Sequence, residues 1–372
     1  MHDVAIIGGG LAGLASSIEL SSQGFDVVLF EKNSYPFHKV CGEYISNESI
    51  EYLTYLGVNL NALGVAHINR FSLSTEQGSQ MSAQLPLGGI GISRYRLDQE
   101  LANISKTKGT TLIDNTTVLE TNGNKIKTTA GDFEAQIIIG AHGKRSNIDK
   151  QLDRDFIKTP LRENHNFIGV KYHLRADLPK DLIELHLFKN GYCGISAIEE
   201  DKYCMCYLSK ASNLKSGMTI EEMETSVLAQ NSILKDYLSR FEKIYDQPKV
   251  ISQVNFQNKE KGNSSILFAG DAAGLIAPLS GNGMSMALQS AHLLQKEVSS
   301  FLNQKQSYDL ALINYSKAWN HSLIGRFRFS KLMQSVFFNP SLMNPLVKTA
   351  SIFPPLAKTI IKQTHGKAFF KG

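Results

Sequence analysis

The chain opens on a short apolar run, Val4-Ala5-Ile6-Ile7, β-branched at three of its four positions. That is the pattern of a strand covered on both faces of a parallel sheet. Gly8-Gly9-Gly10-Leu11-Ala12-Gly13 follows at once, and 14–20 continues in good helix formers toward Gly24, a helix stop. A second apolar run, Asp26-Val27-Val28-Leu29-Phe30, ends in the acid Glu31. Helical spacing returns over 47–56, strand-like alternation over 71–85, and a helix begins at 93–98 and stops near Gly109. Short strands are expected at 111–113, 117–119 and 125–128, and the run Ile137-Ile138-Ile139 is another buried strand, ending at Gly140. From about 156 to 257 the texture changes to alternation over 167–174, 183–188, 194–198 and 203–208. This predicts an antiparallel insertion with one helix over 219–241. A last apolar run, 265–269, ends in Gly270-Asp271, and a long helix starts near 281–284 and runs past Leu294. Beyond it Pro340, Pro345, Pro354 and Pro355 limit the chain to short helices.

Strand, glycine turn, helix, strand and acid together make a dinucleotide-binding unit. Gly8 permits the tight turn, Gly10 lets the backbone approach a pyrophosphate, and Gly13 lets the helix sit against the strand. The N–H groups that open the helix, beside Leu11 and Ala12, offer a partial positive charge to phosphates. Glu31 stands where a carboxylate accepts hydrogen bonds from an adenosine ribose. This unit alone does not choose between NAD and FAD.

Composition changes the picture in only a few places. The 372 residues carry 42% apolar and 20% charged side chains, ordinary for a globular chain long enough for two domains. No apolar stretch reaches bilayer-spanning length, and the fold starts at the second residue, so a cytoplasmic protein without a leader is expected. Cys41, Cys193, Cys204 and Cys206 have neither C-x-x-C nor zinc-like spacing and are expected to be reduced thiols. The net charge of +5 is uneven: from Arg326 to Gly372 there are eight Lys or Arg and no acid, leaving about −3 for the rest. Basicity therefore belongs to the tail, and without a recognition motif it does not point to nucleic acid. His142, His173, His186 and His365 lack metal-ligand spacing, so no metal is expected, and no G-x-S-x-G supports a hydrolase.

Three strand ends, at Gly8, Gly140 and Gly270, share one logic: each closes a buried strand with glycines or a carboxylate, where a parallel sheet presents its ligand crevice. At the third, Gly270-Asp271-Ala272-Ala273-Gly274 and Pro278-Leu279-Ser280-Gly281-Asn282-Gly283-Met284 join an acid suited to a polyol with a glycine-opened helix start. That helix start can stabilise negative charge developing on a flavin ring.

On these residues the chain resembles the FAD-dependent oxidoreductases built like p-hydroxybenzoate hydroxylase, and among them the geranylgeranyl reductase branch. The matches, over roughly residues 1 to 325, are Gly8/Gly10/Gly13 with Glu31, Cys41-Gly42-Glu43, Arg94 with Leu97-Asp98, Gly140-x-x-Gly143 with Ser146, and Gly270-Asp271 with Pro278 and Gly281–Gly283. The resemblance implies an α/β fold: a Rossmann-like FAD-binding domain (1–66, 94–155 and 258–325), an inserted antiparallel substrate domain (67–93 and 156–257), and a basic, apolar helical tail (326–372). It implies FAD as cofactor, with Glu31 at the ribose, the Val118 backbone at the adenine, Arg94 at the ribityl–phosphate side and Asp271 at the ribityl or pyrophosphate region. Lys32, Cys41, Gly42, Ala141, Gly143, Gly270, Asp271 and Pro278 would line the cofactor, and Gly281 to Met284 would lie under the isoalloxazine ring. One motif departs. The family usually has Asp where this chain has His142, and Arg is common where it has Asp149. That segment is implicated in nicotinamide contacts, so the electron donor stays open between NAD(P)H and another reductant.

The reductase branch carries Cys-Gly in the loop after the ribose acid, where aromatic hydroxylases have arginine-rich chemistry. Cys41 is therefore a candidate catalytic residue, able to tune the ring or assist protonation of a double bond. Tyr192, in Gly191-Tyr192-Cys193-Gly194, is a candidate pocket residue; each has a plain packing reading beside it. The expected substrate is a lipophilic small molecule, reduced at a double bond as in the geranylgeranyl reductases. Hydroxylation of an aromatic or polyketide-like substrate is the alternative reaction, and a non-catalytic flavin-binding protein the second alternative. Halogenases share the fold, but their Trp-rich signature is absent: Trp319 is the single tryptophan. The tail mixes Phe329, Leu332, Val336, Phe337, Phe338, Leu342, Leu346 and Val347 with its cations. It is expected to cap the core, to cover an apolar tunnel or to contact a membrane peripherally. Oligomeric state is left open.

Overall fold

A computed structural model describes residues 1–158, 166–254, 256–277, 281–364 and 366–370. Two sheets organise it. In the first, five strands run parallel in the order Thr111–Ile113, Val27–Phe30, His2–Ile7, Gly131–Gly140, Ile266–Phe268. The strand Gly131–Gly140 does double duty. Its first half pairs antiparallel with Lys125–Thr128, and its second half enters the parallel sheet between His2–Ile7 and Ile266–Phe268. Register places Ile7 beside Gly140 and Gly140 beside Phe268, so the three strand ends at Gly8, Gly140 and Gly270 come together at one edge of the sheet. Val4, Ile6, Leu29 and Ile139 are buried against the helix Leu11–Ser22, while Ala5, Val28, Phe30 and Ile138 fill the other face. Covering on both faces is what the continuous apolar runs require.

The second sheet has nine strands and is antiparallel except where Leu182–Phe188 runs parallel to Ala66–Ser74. Besides strands from the 167–208 alternation it takes in Gln80–Gly91 and the short Tyr44–Ser46, so the chain just after Cys41 enters this sheet. The helix expected over 219–241 is instead two, Ile220–Ser226 and Ser232–Arg240. The buried Asn231 breaks them apart: its side-chain oxygen accepts from the N–H groups of Ile233 and Leu234, and its amide donates to Leu187 O.

The C-terminal region has the short helices expected only from Pro340 onward. A 30-residue helix, Tyr308–Phe337, runs through position 326 without a break, so the start of the basic tail is no structural boundary. Tyr315 Oη donates to Phe268 O at 2.8 Å and Trp319 packs on Gly274, which pins this helix to the last parallel strand. Pro340–Ile352 and Pro354–Thr364 follow; Pro340 sits at the helix start, where a missing N–H is harmless, and Pro345 is carried inside.

Candidate functional site

At the first strand end, Gly8 adopts φ +103, and a Cβ there would stand 2.6 Å from Ala141 O. A Cβ on Gly13 would stand 2.0 Å from Gly8 O, so the helix seats directly on the turn. Gly10 is different: its Cβ would meet nothing nearer than the Lys39 ammonium at 3.7 Å and the Arg94 guanidinium at 3.8 Å, across open space. That opening is the front of a cavity of about 750 Å3 whose wall includes Gly8, Gly10, Leu11, Ala12, Glu31, Lys32, Cys41, Gly42, Arg94, Ala141, Gly143, Gly270, Asp271, Gly281, Gly283 and Met284. Residues from seven separate stretches of chain thus meet around one space. Val118 lies apart from these, in a neighbouring cavity of about 580 Å3 that shares Gly8, Glu31, Lys32 and Lys144 with the first.

Charge is arranged for an anion between Lys39 and Arg94. Ser93 caps the helix Arg94–Thr107, which fixes Arg94 at its first turn. The Asp98 carboxylate takes the Arg94 guanidinium in a two-pronged pair, 2.7 Å at each contact, and also meets the Lys39 ammonium at 3.0 Å. One acid against two cations leaves net positive charge at the cavity. Burial raises the pKa of Asp271, although Lys259 and Arg94 oppose it, and its carboxylate makes no hydrogen bond to a described residue. The helices Leu11–Ser22 and Gly283–Leu302 both begin without a side-chain cap or an acid in the first turn, leaving their N–H groups to a ligand. Asn282, fully buried before the second, has neither end of its amide hydrogen-bonded. Pro278 lies outside the described residues.

Glu31 does more than wait for a ribose. One carboxylate oxygen accepts the Gly9 N–H at 2.9 Å, and the other accepts both nitrogens of Asn33. Tyr35 Oη donates to Gly9 O at 2.6 Å, and a Cβ on Gly9 would collide with that phenol at 1.8 Å. Tyr35 is thus a second brace on the glycine turn, invisible in the motif because it lies in the following loop.

The loop at Cys41 is held from the second sheet. Glu43 is fully buried at φ +55, and its carboxylate receives Lys171 Nζ, His173 Nε2 at 2.6 Å and the Arg94 backbone N–H at 2.8 Å. Burial opposes ionisation, but His173 and Lys171 hold the Glu43 pKa below the usual carboxylate value. Lys171 Nζ also donates to Lys39 O at 3.1 Å, so one buried cation fixes both ends of the loop. In the sequence Glu43 enters only as the end of the Cys41-Gly42-Glu43 match, and Lys171 and His173, at alternating positions on Phe167–Arg175, look like ordinary strand residues. Glu43, His173 and Cys204 offer ligand atoms within 4.8 Å of one another, but the Glu43 carboxylate is already taken by an ammonium, which a metal ion would have to displace. Cys41 itself lines the cavity, and burial pushes its thiol pKa up, so Sγ keeps its proton at neutral pH.

The departing middle motif resolves into a pair. His142 Nε2 lies 3.0 Å from Asp149 Oδ1, and Arg154 reaches the same oxygen at 2.8 Å. The two positions at which the chain departs from the family pattern face each other with their acid and base exchanged. Burial would raise the Asp149 pKa, yet His142 and Arg154 bring it down.

Tyr192 lies in the apolar half of the cavity with Phe71, Leu73, Leu185, Val254 and Phe256 of the second sheet region. Met333 and Phe337 of the long helix, and Met343, Leu346, Val347 and Ala350 of the next, close that half from above. The tail therefore covers an apolar chamber.

Residues 1–318 match the FAD binding domain family. The chain belongs to that family. Among curated relatives, conditioned medium factor receptor 1 of Dictyostelium discoideum is 23% identical over 387 residues, covering 90% of this chain and 70% of the relative. A digeranylgeranylglycerophospholipid reductase of Methanoculleus marisnigri is 23% identical over 358 residues, 87% of this chain and 83% of its own. A solved flavin-dependent brominase superposes with TM-score 0.78 at 16% identity, covering 98% of this chain and 93% of the brominase, which shows a shared fold. Reductases and a hydroxylase both stand among the relatives, and the protein is an FAD-dependent oxidoreductase. The site fits FAD on its own terms. Side chains at Gly8 and Gly13 would collide with the backbone that shapes the cradle, Gly10 faces its open space, two helix N-termini are uncapped, and Asp271 and Asn282 await partners.

Proposed function

We propose that the protein reduces a carbon–carbon double bond of a lipophilic, isoprenoid-like molecule. The observation that carries this reading is the continuity of one cavity from the charged cradle to an apolar chamber, with a protonated thiol, Cys41 Sγ, on its wall. FAD, when bound and reduced, supplies the hydride. The chain has to exclude water, hold the alkene and leave a proton within reach of the second carbon. Apolar side chains of the sheet and roof do the first two by desolvation, and Cys41 Sγ is placed for the third. A hydroxylase needs polar groups to orient an electron-rich ring, and the apolar half offers the Tyr192 hydroxyl within a hydrophobic wall.

The test is anaerobic. Holoprotein reduced chemically is mixed with a polyprenyl lipid, and flavin reoxidation is followed together with the mass of the lipid. Reoxidation coupled to a saturated product is expected. An oxygen-dependent hydroxylated product, with no anaerobic turnover, would transfer the protein to the monooxygenase class. Protein that takes up no FAD would end both readings.

A further inference from the structure

The C-terminal helices are apolar on two sides. Met343, Leu346, Val347, Ala350, Ala357 and Ile361 turn inward and roof the chamber. On the outside, Leu342 is 54% exposed, Ile352 84% and Phe353 58%, with Leu332 of the preceding helix at 60%. Ile352 and Phe353 form the corner where Pro340–Ile352 ends and Pro354–Thr364 begins, a projecting position for two large apolar side chains. Arg328, Lys331, Lys348 and Lys358 are exposed on the same helices, and no acid occurs anywhere from 326 to 372. Among the described lysines and arginines of these helices, Arg326 alone is paired with an acid, Glu48 at 2.8 Å.

We infer that this outer face docks on an anionic lipid bilayer, with Ile352 and Phe353 entering the interface and the exposed lysines and arginines lying among the headgroups. Charge decides the occupant. A second copy of the chain would set one acid-free cationic face against another, whereas an anionic bilayer meets the cations and takes up the apolar corner at the same time. Neither half is sufficient: among the described residues no helix is long and apolar enough to cross a membrane, so the contact is peripheral. Docking there would put the roof of the apolar chamber against the phase in which lipophilic molecules dissolve. The inference stands whichever reaction the flavin performs.

Full-length FAD-loaded protein is co-sedimented with vesicles of phosphatidylcholine alone and of phosphatidylcholine mixed with phosphatidylglycerol, at low and high salt. Binding to the anionic vesicles at low salt is expected to exceed binding to the neutral ones at least tenfold and to fall by a similar factor in high salt. Ile352→Ser/Phe353→Ser and Lys348→Glu/Lys358→Glu should each lose at least tenfold in vesicle binding while FAD content and melting temperature stay at wild-type values, since all four side chains are exposed. Absence of binding to anionic vesicles, binding indifferent to headgroup charge, or binding that both variants retain would overturn the inference. So would a wild-type dimer that becomes monomeric in the serine variant with vesicle binding intact, for the face would then join two copies.

Discussion

The two halves of the cavity are built in opposite ways. The cradle half is made from backbone and charge: glycines at 8, 10 and 13, the uncapped helix starts, and Arg94 and Lys39 sharing Asp98. The chamber half is made from apolar side chains that come from a sheet and from helices nearly 300 positions apart in sequence, Phe71 to Ile361. A directional site tolerates almost no displacement of its parts, whereas an apolar wall is defined by volume and can be refilled by many residues. One half therefore fixes the cofactor, and the other is free to set which molecule is accepted.

The largest expected effect breaks the cradle. Gly13→Val adds a side chain whose Cβ would lie 2.0 Å from Gly8 O, backbone that cannot yield without moving the first helix. Purified variant should contain no FAD by absorbance, with activity absent. Next comes the joint between the halves. Glu43→Gln leaves Lys171 and His173 facing an uncharged amide in a buried site, and removing one partner of a buried pair costs about 3–5 kcal/mol. Urea unfolding of the two proteins measures it. The pH dependence has a definite sign. Glu43 has a folded pKa below its ordinary 4.5, so its stabilisation is complete above that value and is lost as pH falls through the lower folded one. Wild type should lose stability steeply on that acid limb, and Glu43→Gln should have a shallower one.

The same contrast explains what could be read from the amino-acid order. Gly8, Gly10, Gly13, Glu31, Arg94 and Asp271 sit in short motifs whose spacing is dictated by the backbone of a single turn or helix start, so the cradle is legible locally. Tyr35 and Lys171 serve that cradle but reach it from a loop and from the other sheet, and their roles depend on tertiary contacts no spacing encodes. His142 and Asp149 look like two independent departures in one dimension and turn out to be a single exchanged pair in three. Apart from Tyr192 and the inserted substrate domain, both given by the resemblance, the chamber was visible only as an apolar, basic composition in the tail. That composition is equally satisfied by a core cap, a tunnel roof or a membrane face, because burial alone carries no direction. Asn231 shows the limit for secondary structure: a side-chain cap to two N–H groups outweighs helical spacing over 219–241.

Filling the chamber should sharpen the comparison from its other side. Val347 is buried in the roof and belongs to none of the motifs that hold FAD. Val347→Trp is expected to cost about 1–3 kcal/mol of stability through overpacking, to leave FAD content unchanged, and to raise KM for long polyprenyl lipids about tenfold more than for short ones. Calorimetry and steady-state rates with a chain-length series measure these effects. A uniform fall in kcat for all lengths would mean that the roof governs the flavin rather than the substrate.

The smallest effect lies at the seam, on Cys41. Its thiol is held protonated by burial, accepts the Glu43 N–H at 3.4 Å, and faces the cavity where the halves meet. Ser at this position keeps size and an exchangeable proton, but its hydroxyl is a weaker acid than the thiol. Ala removes the proton altogether and opens little space. If Sγ supplies the proton, anaerobic turnover should fall about tenfold in Cys41→Ala, equivalent to ~1.4 kcal/mol, and less in Cys41→Ser. A solvent isotope effect should be altered in both, with FAD content and melting temperature near wild type. If the thiol only packs the loop, both variants turn over at the wild-type rate. The difference between the variants, rather than either value alone, assigns the proton. A packing defect would scale with lost volume and be felt equally by FAD retention, whereas a lost acid is felt by the product-forming step and by nothing else.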